Sequence, residues 1–363
     1  MSCLTTIAER RDPEWAGEPS WRNASVAGTE PHDCPPTMRT DPLLSILIVN
    51  WNTRESLGNC LIHLPAAADA IPFRTIVVDN NSSDGSQRML RQEFPWVTCI
   101  ALKRNLGYGA GVNLAIRRAK TPYVLLLNPD VVPQKGSIAT LVDHLRDHSG
   151  IAVVGGRLCG WDGRSQMEDY YVPFPTLLAA MIHYTRWSGL LGEFCLTPDR
   201  FTDSSVRQVP GACLLTRREV IEEVGAFDEE FFVWFEDVDW CYRTVQRQFR
   251  LGVCEKAVFV HEGGKSFEAV SEETRKKWYY RSMLRFFLKH KGRFQYVALA
   301  GAILTEEALV WMVSWAIGLV WAPSRKTMLD RSRRARDFIF FLVKGIRPAP
   351  GPAPEGAGWK GGT

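Results

Sequence analysis

From Leu43 onward the chain changes character, as an irregular polar stretch gives way to short apolar runs that end in turn-forming residues. The runs LLSILIVNWN and RTIVVDNNSSDGS are rich in β-branched residues and apolar without alternation, the pattern of strands buried on both faces of a parallel sheet. Between them, residues 53–64 predict a helix carrying Leu57, Cys60, Leu61 and Leu64 on one side. A second helix is expected over 86–94, a strand over 97–102, a helix over 109–119 and a strand over 123–128. This βαβ rhythm predicts the α/β class: a Rossmann-like, mostly parallel central sheet with flanking helices. Ligands of such sheets collect at the carboxyl ends of the strands, which is where Asn50, Asp79, Asn80, Asn128 and Asp130 fall.

Residues 151–156 form another strand candidate, whereas 157–205 mix aromatics, Pro and Gly and predict an acceptor-facing insert of weak regularity. Order returns with VPGACLLT at 209–216, a helix over 217–224, the acidic stretch FEDVDW at 235–240, a helix over 241–248 and the strand LGVCEKAVFVH reaching His261. The globular domain is therefore expected over 43–268. Residues 1–42 hold too little apolar surface to offset ordering entropy and predict a disordered leader, and the Pro/Gly-rich segment 347–363 predicts a disordered tail.

The region 269–346 differs from both. A basic, aromatic helix candidate at 275–291 precedes an apolar run over 297–322, followed by a second basic stretch at 325–336. The apolar run is long enough to span about 30 Å of hydrocarbon. Glu306 and Glu307 sit near its middle, and each costs roughly 2.5 to 3.5 kcal/mol at a bilayer centre. Basic flanks on both sides give no preferred orientation across a membrane. An in-plane amphipathic helix or a re-entrant hairpin, with both flanks meeting anionic lipid on the cytoplasmic face of the plasma membrane, satisfies these constraints better than a spanning helix. A soluble helical cap on the domain is the alternative.

Composition narrows the classes. The 363 residues carry a formal net charge of only +4 and are 45% hydrophobic, which excludes a disordered protein and gives no general affinity for nucleic acid. Nine cysteines, an odd number with no CxxC pair, fit reduced thiols in a cytosol. The early charged residues Glu9, Arg10, Arg11, Asp12 and Glu14, with no apolar segment among them, argue against a cleaved secretory signal.

Several motifs carry candidate chemistry, each with a plain structural counterpart. NPD at 128–130 is a turn signal, yet Asp130 just past a central strand is where a divalent ion bridging a diphosphate needs a hard oxygen ligand. Asn128 either ligates weakly or caps the turn. The VVDNNSSDGS loop either caps the next helix or presents Asp79 to a nucleobase edge. RNLGYGAG at 104–111 is either a flexible helix entrance or a close backbone approach to a ligand, with Arg104 offering charge to a diphosphate. It is not GxGxxG in a first βαβ unit, so a dinucleotide fingerprint is rejected. In FEDVDW, Glu236, Asp237 and Asp239 either meet a helix dipole or supply a general base, with Trp234 and Trp240 as platforms for sugar rings. His261 is either a satisfied histidine or a ligand to an ion shared with Asp130.

Taken in order, SILIVNWN, IVVDNNSSDGS, KRNLGYGAGVNLAI, YVLLLNPDV, VPGACLLTRREVIEEVGAFDEEFFVWFEDVDWCYR and FVHEGGKS resemble the large family 2 of nucleotide-sugar glycosyltransferases, specifically its bacterial rhamnosyltransferase-like branch. The resemblance runs from Leu44 to 266. It implies a GT-A fold and inverting transfer of a sugar, L-rhamnose among the options, from a nucleoside diphosphate donor with Mg²⁺ or Mn²⁺. The acceptor it suggests is a polyprenyl-linked glycan or a polysaccharide of the cell surface. Carried over by position, Asn50, Asp79, Arg104, Asn105, Gly107 and Asn128 serve the donor, and Asp130 and His261 the metal. Asp237 deprotonates the acceptor, Glu236 orients it, and Gly211, Trp234 and Trp240 line its site. The metal motif reads NPD in place of Asp-x-Asp. Nucleotidyl transfer lacks its basic Gly-rich signature near the N-terminus, and a catalytically silent sugar-nucleotide-binding scaffold at the membrane is the alternative from another class.

Overall fold

The computed structural model describes residues 41–167, 171, 173–184, 206, 208–264, 267–268, 270–320 and 325–345. Nearly all of the expected leader, the whole expected tail and much of the expected insert lie outside these residues. The described chain divides into two compact units. The first comprises the segments to Pro173, Thr197–Glu230 and Asp237–Glu268; the second comprises Phe174–Leu196, Phe231–Glu236 and everything from Ala269.

The first unit is built on one eight-stranded sheet. Its strands are β1 (Leu44–Asn50), β2 (Phe73–Asp79), β3 (Thr98–Ala101), β4 (Tyr123–Leu127), β5 (Val131–Pro133), β6 (Ile151–Cys159), β7 (Cys213–Arg217) and β8 (Arg250–His261). Their order across the sheet is β3-β2-β1-β4-β7-β6-β8-β5. The half from β3 to β4 is parallel throughout, as expected for strands with no polar face. β7 then runs antiparallel to both β4 and β6, and β5 antiparallel to β8, so the sheet is mixed. Around it lie α1 (Arg54–Ala68), α2 (Ser86–Glu93), α3 (Tyr108–Arg118), α4 (Ser137–Asp147), α6 (Arg218–Val224) and α7 (Glu236–Gln246); α5 (Leu177–Tyr184) belongs to the second unit. The core joins Leu44, Ile46 and Ile48 of β1 to Leu57, Leu61 and Leu64 of α1 and Leu141 and Leu145 of α4, all fully buried.

Close approach fixes one glycine. A Cβ on Gly156 would lie 2.3 Å from the buried Phe259 ring and 2.9 Å from the Ala257 carbonyl oxygen, at the point where the β6–β8 register shifts. Gly156→Ala is therefore expected to cost about 1 to 3 kcal/mol by overpacking, lowering the thermal midpoint by about 2 to 12 °C; an unchanged midpoint in a melting experiment contradicts this packing.

The second unit is helical among the described residues: α5, then α8 (Glu272–His290), α9 (Gly292–Val320) and α10 (Arg325–Gly345), with the aromatic segment 231–235 packed on α8. α8 begins at Ser271, whose hydroxyl accepts from the Thr274 N–H as an N-cap, with Glu272 and Glu273 in the first turn. Gly318 of α9 packs against Met328 and Leu329 of α10, while Trp311 and Trp315 share a cleft with Ser332, Arg333 and Arg336, so the two helices form an antiparallel hairpin. The two acids in the apolar run are turned inward. Glu306 and Glu307 are 8% and 4% exposed, and Glu307 pairs with Lys276 of α8, whose ammonium also sits 4.4 Å from the Phe338 ring centroid. Beyond them the helix shows solvent Leu309, Met312, Val313, Trp315, Leu319 and Val320.

Candidate active site

The site lies in the first unit, where β1, β2 and β4 end. Register brings its first pair together: β5 runs antiparallel to β8 with Val131 opposite His261, and the Glu262 N–H donates to the Asp130 carbonyl at 3.1 Å. Asp130 and His261 are thereby neighbours although they lie far apart in the chain. His261 Nε2 is 3.7 Å from Asp130 Oδ1, and the two residues are 3% and 5% exposed. That separation exceeds a hydrogen bond and suits two ligands of one cation. Burial pushes the His261 pKa below the usual imidazole value, against the opposing pull of Asp130 and Glu262. The neutral imidazole this favours is the form that binds a metal.

These residues fit a divalent ion held partly by substrate. Among the described residues no group of three His, Cys, Asp or Glu side chains gathers around one point. Glu262, the nearest further carboxylate in sequence, is engaged elsewhere: Trp161 Nε1 donates to its Oε1 at 2.9 Å and the Ser56 hydroxyl to its Oε2 at 3.1 Å. Two protein ligands would leave coordination positions for other oxygen ligands and water, as is common for Mg²⁺-type ions.

Asp237 reaches the same end of the sheet through Gly211. The Gly211 N–H donates to Asp237 Oδ2 at 2.8 Å, and the Val238 N–H to Oδ1 at 2.8 Å, within the first turn of α7. The residue after Gly211, Ala212, accepts through its carbonyl from the Asn128 N–H at 3.0 Å, two residues before Asp130. The NPD turn and the acid of α7 are thus fastened to one short backbone segment. Of the acids in FEDVDW, Asp237 is only half-buried, whereas Glu236 is 6% exposed and Asp239 fully buried in an ion pair with Arg243 at 2.9 Å. Burial pushes the Asp237 carboxyl above the usual aspartate range, opposed by the Gly211 and Val238 N–H groups.

The glycine-rich loop is tied to the same place. Asn80 donates to the Gly107 carbonyl and accepts from the Leu106 N–H, both at 2.9 Å, and the Gly107 N–H donates to Asn105 Oδ1 at 2.8 Å. Gly107 has φ 90°, a backbone angle that L side chains avoid, and Arg104 just before it is exposed. Tyr108 Oη donates to the Gly211 carbonyl at 2.9 Å, joining this loop to the Asp237 anchor. Tyr108 and Gln166 are contributors that the motifs alone did not single out, because each acts through a backbone partner distant in sequence.

Three expected site residues take other roles. Asp79 is fully buried: Oδ1 accepts from Asn50 Nδ2 at 2.9 Å, and Oδ2 from the Ser82 N–H at 3.0 Å and Gln87 Nε2 at 2.6 Å. Asn50, opposite it in register, spends its remaining capacity on Ser82 and Thr53. These two side chains shape the loop at the ends of β1 and β2. Trp240, expected as a sugar platform, is fully buried, stacked on Phe227 at 5.4 Å with Nε1 donating to the Gly225 carbonyl at 2.9 Å. Trp234 is half-buried with φ 61°, followed by Phe235 with φ 67°, two consecutive left-handed residues that turn the chain into α7. The described cysteines at 60, 99, 159, 213, 241 and 254 form no disulfide, and burial pushes Cys159 up to about 11 and Cys213 up to about 12, which keeps these two as neutral packing thiols.

The mixed eight-stranded α/β sheet with flanking helices is of the GT-A class. The chain belongs to the glycosyltransferase-like family 2, whose model matches residues 42–281. Among its relatives, the low-salt glycan biosynthesis hexosyltransferase Agl10 of Haloferax volcanii is 26% identical over 222 residues, covering 60% of this chain and 66% of that protein. The N-acetylglucosaminyl-diphospho-decaprenol L-rhamnosyltransferase of Mycobacterium tuberculosis is 28% identical over 216 residues, covering 54% of this chain and 68% of that protein. The chain thus spans about two thirds of the length of these two relatives. The rhamnosyltransferase WbbL of Escherichia coli K12 is 23% identical over 261 residues, covering 69% of this chain and 94% of that protein.

Proposed function

We propose that this protein is an inverting glycosyltransferase that moves a sugar, L-rhamnose first among the options, from a nucleoside diphosphate donor to a polyprenyl-linked glycan or polysaccharide acceptor. The observation that carries this reading is the pairing of Val131 with His261, which sets Asp130 beside an imidazole at the strand ends where Asp237 is anchored. A divalent ion, Mg²⁺ or Mn²⁺, supplies charge neutralisation of the departing diphosphate when bound. Asp130 and His261 would hold it. Asp237, fixed through both oxygens by backbone N–H groups, retains lone pairs with which to take the acceptor hydroxyl proton as the oxygen attacks the anomeric carbon. Exposed Arg104 and the backbone around Gly107 serve the donor phosphates, with Asn105 and Asn128 shaping the turns beside them. Gly211, Glu236 and Trp234 are assigned to the acceptor side.

The relatives motivate the substrates: one is an N-acetylglucosaminyl-diphospho-decaprenol L-rhamnosyltransferase and another a rhamnosyltransferase. Incubation of the full chain with labelled dTDP-rhamnose, UDP-sugars and GDP-sugars together with polyprenyl-diphosphate-linked acceptor tests the reading. Labelled lipid product is expected with one donor. Donor binding without any transferred label points instead to a silent sugar-nucleotide-binding scaffold.

Membrane contact is part of the same proposal. α9 is long and apolar enough to cross a bilayer, yet its acids face inward and its outer half shows Leu309, Met312, Trp315 and Leu319 beside an α10 that carries Arg325, Lys326, Arg331, Arg333, Arg334 and Arg336. Such a hairpin suits the cytoplasmic surface of the plasma membrane, lying in it without spanning it. Truncation after residue 291 is expected to move the protein from the membrane to the soluble fraction on cell fractionation. The triple variant Met312→Ser, Trp315→Ser, Leu319→Ser should do the same with the helices retained; membrane retention of both would refute the lipid contact.

A further inference from the structure

After β6 the chain does not enter an acceptor-facing insert at once. It makes a tight hairpin in which Cys159 bridges Ser165, the Gly160 N–H donates to the Arg164 carbonyl at 2.9 Å, the Gly163 N–H to the Gly160 carbonyl at 3.0 Å, and the Gln166 N–H to the Leu158 carbonyl at 3.0 Å. Gly163 takes φ 77° at the turn, which favours glycine. The hairpin sets two side chains against the end of β8: Trp161, bonded to Glu262, and Gln166, bonded twice to His261.

The double bond to His261 decides which ring nitrogen carries hydrogen. Gln166 Nε2 donates to the His261 carbonyl oxygen at 3.1 Å, so its Oε1 is the atom facing His261 Nδ1, also at 3.1 Å. An amide oxygen only accepts, and therefore Nδ1 must be the donor. Reversing the amide would set its oxygen against the carbonyl oxygen and its NH₂ against Nδ1, losing the first bond. We infer that Gln166 is a positioning residue that fixes His261 as the Nδ1–H tautomer and thereby aims the Nε2 lone pair at the side occupied by Asp130, readying the pair for a divalent ion. The inference rests on the metal reading above for its function, while the tautomer itself stands on hydrogen-bond geometry. His261 is 3% exposed, so its ring is withdrawn from bulk solvent. Glu262 is engaged by Trp161 and Ser56, and Gln166 meets Nδ1 at 3.1 Å. An amide in this place acts as the carbonyl or carboxylate partners of metal-bound histidines do elsewhere, by holding orientation and tautomer.

The test uses the full chain labelled with ¹⁵N-histidine, together with Gln166→Leu, which removes both bonds, and Gln166→Glu, which keeps an acceptor for Nδ1–H. Wild-type protein without metal should show the Nδ1–H pattern for His261 in ¹⁵N correlation spectra, and an Nε2–H pattern overturns the inference even if Gln166→Leu fails to fold. Manganese binding in the presence of nucleoside diphosphate, followed by electron paramagnetic resonance, should be about 10- to 100-fold weaker in Gln166→Leu and within a few-fold of wild type in Gln166→Glu. Equal affinity of Gln166→Leu and wild type overturns the positioning role while leaving the metal site intact. Absence of Mn²⁺ binding by the wild type removes the metal reading and this inference with it.

Discussion

Asp237→Asn is expected to lower the transfer rate by about 10²- to 10⁴-fold, the range lost when a positioned general base is removed, while donor binding changes little. Asparagine is nearly isosteric and can still accept from the Gly211 N–H through its amide oxygen, so the start of α7 should persist. What disappears is the group that takes the acceptor proton. The pH profile gives a second view of the same residue. A base works ionised, and burial favours the neutral carboxyl of Asp237, so the rate falls as pH drops through a pKa raised above the ordinary value of about 3.9. The acidic limb of kcat/KM in the wild type should therefore lie above that value. Full turnover by the asparagine variant, or a limb at the ordinary position, contradicts the assignment.

Asp130→Ala is expected to abolish detectable transfer, as is removal of divalent ions by EDTA, with Mg²⁺ or Mn²⁺ restoring the wild type only. A divalent ion at a leaving diphosphate contributes several kcal/mol, and a loss of about 4 kcal/mol corresponds to about 10³ in rate. The variant should differ from Asp237→Asn in kind, because it weakens donor binding as well as turnover. His261→Ala is expected to act in the same direction. Wild-type activity that survives exhaustive chelation would show that the Asp130–His261 pair serves packing alone.

Much of this arrangement was legible in the chain because buried parallel strands advertise themselves. β1, β2 and β4 are contiguous apolar runs, and their ends carry the polar residues that meet at the site. β5 was not legible: it is three residues long, contains Pro133, and exists because β8 offers an edge to pair with. Yet it is β5 that carries Asp130 to His261. The antiparallel sense of β7 was equally hidden, since apolar spacing does not encode strand direction. Asp79 and Asn50 were read as ligand contacts from their place at strand ends; the hydrogen bond that register sets between them was not legible in the sequence. Trp240 was read as a sugar platform from its acidic neighbours, whereas the phase of α7 turns it onto Phe227. Glu307 in the apolar run found its explanation only in three dimensions, where α8 supplies Lys276.

Anomalous scattering from a crystal of the full chain soaked with Mn²⁺ and a nucleoside diphosphate measures the ion's position directly. A peak within about 2 Å of both the Asp130 carboxylate and His261 Nε2, with Asp237 outside its coordination shell, is the expected result. A peak bound to Asp237, or diphosphate held with no peak at Asp130, would contradict the division between metal ligands and base.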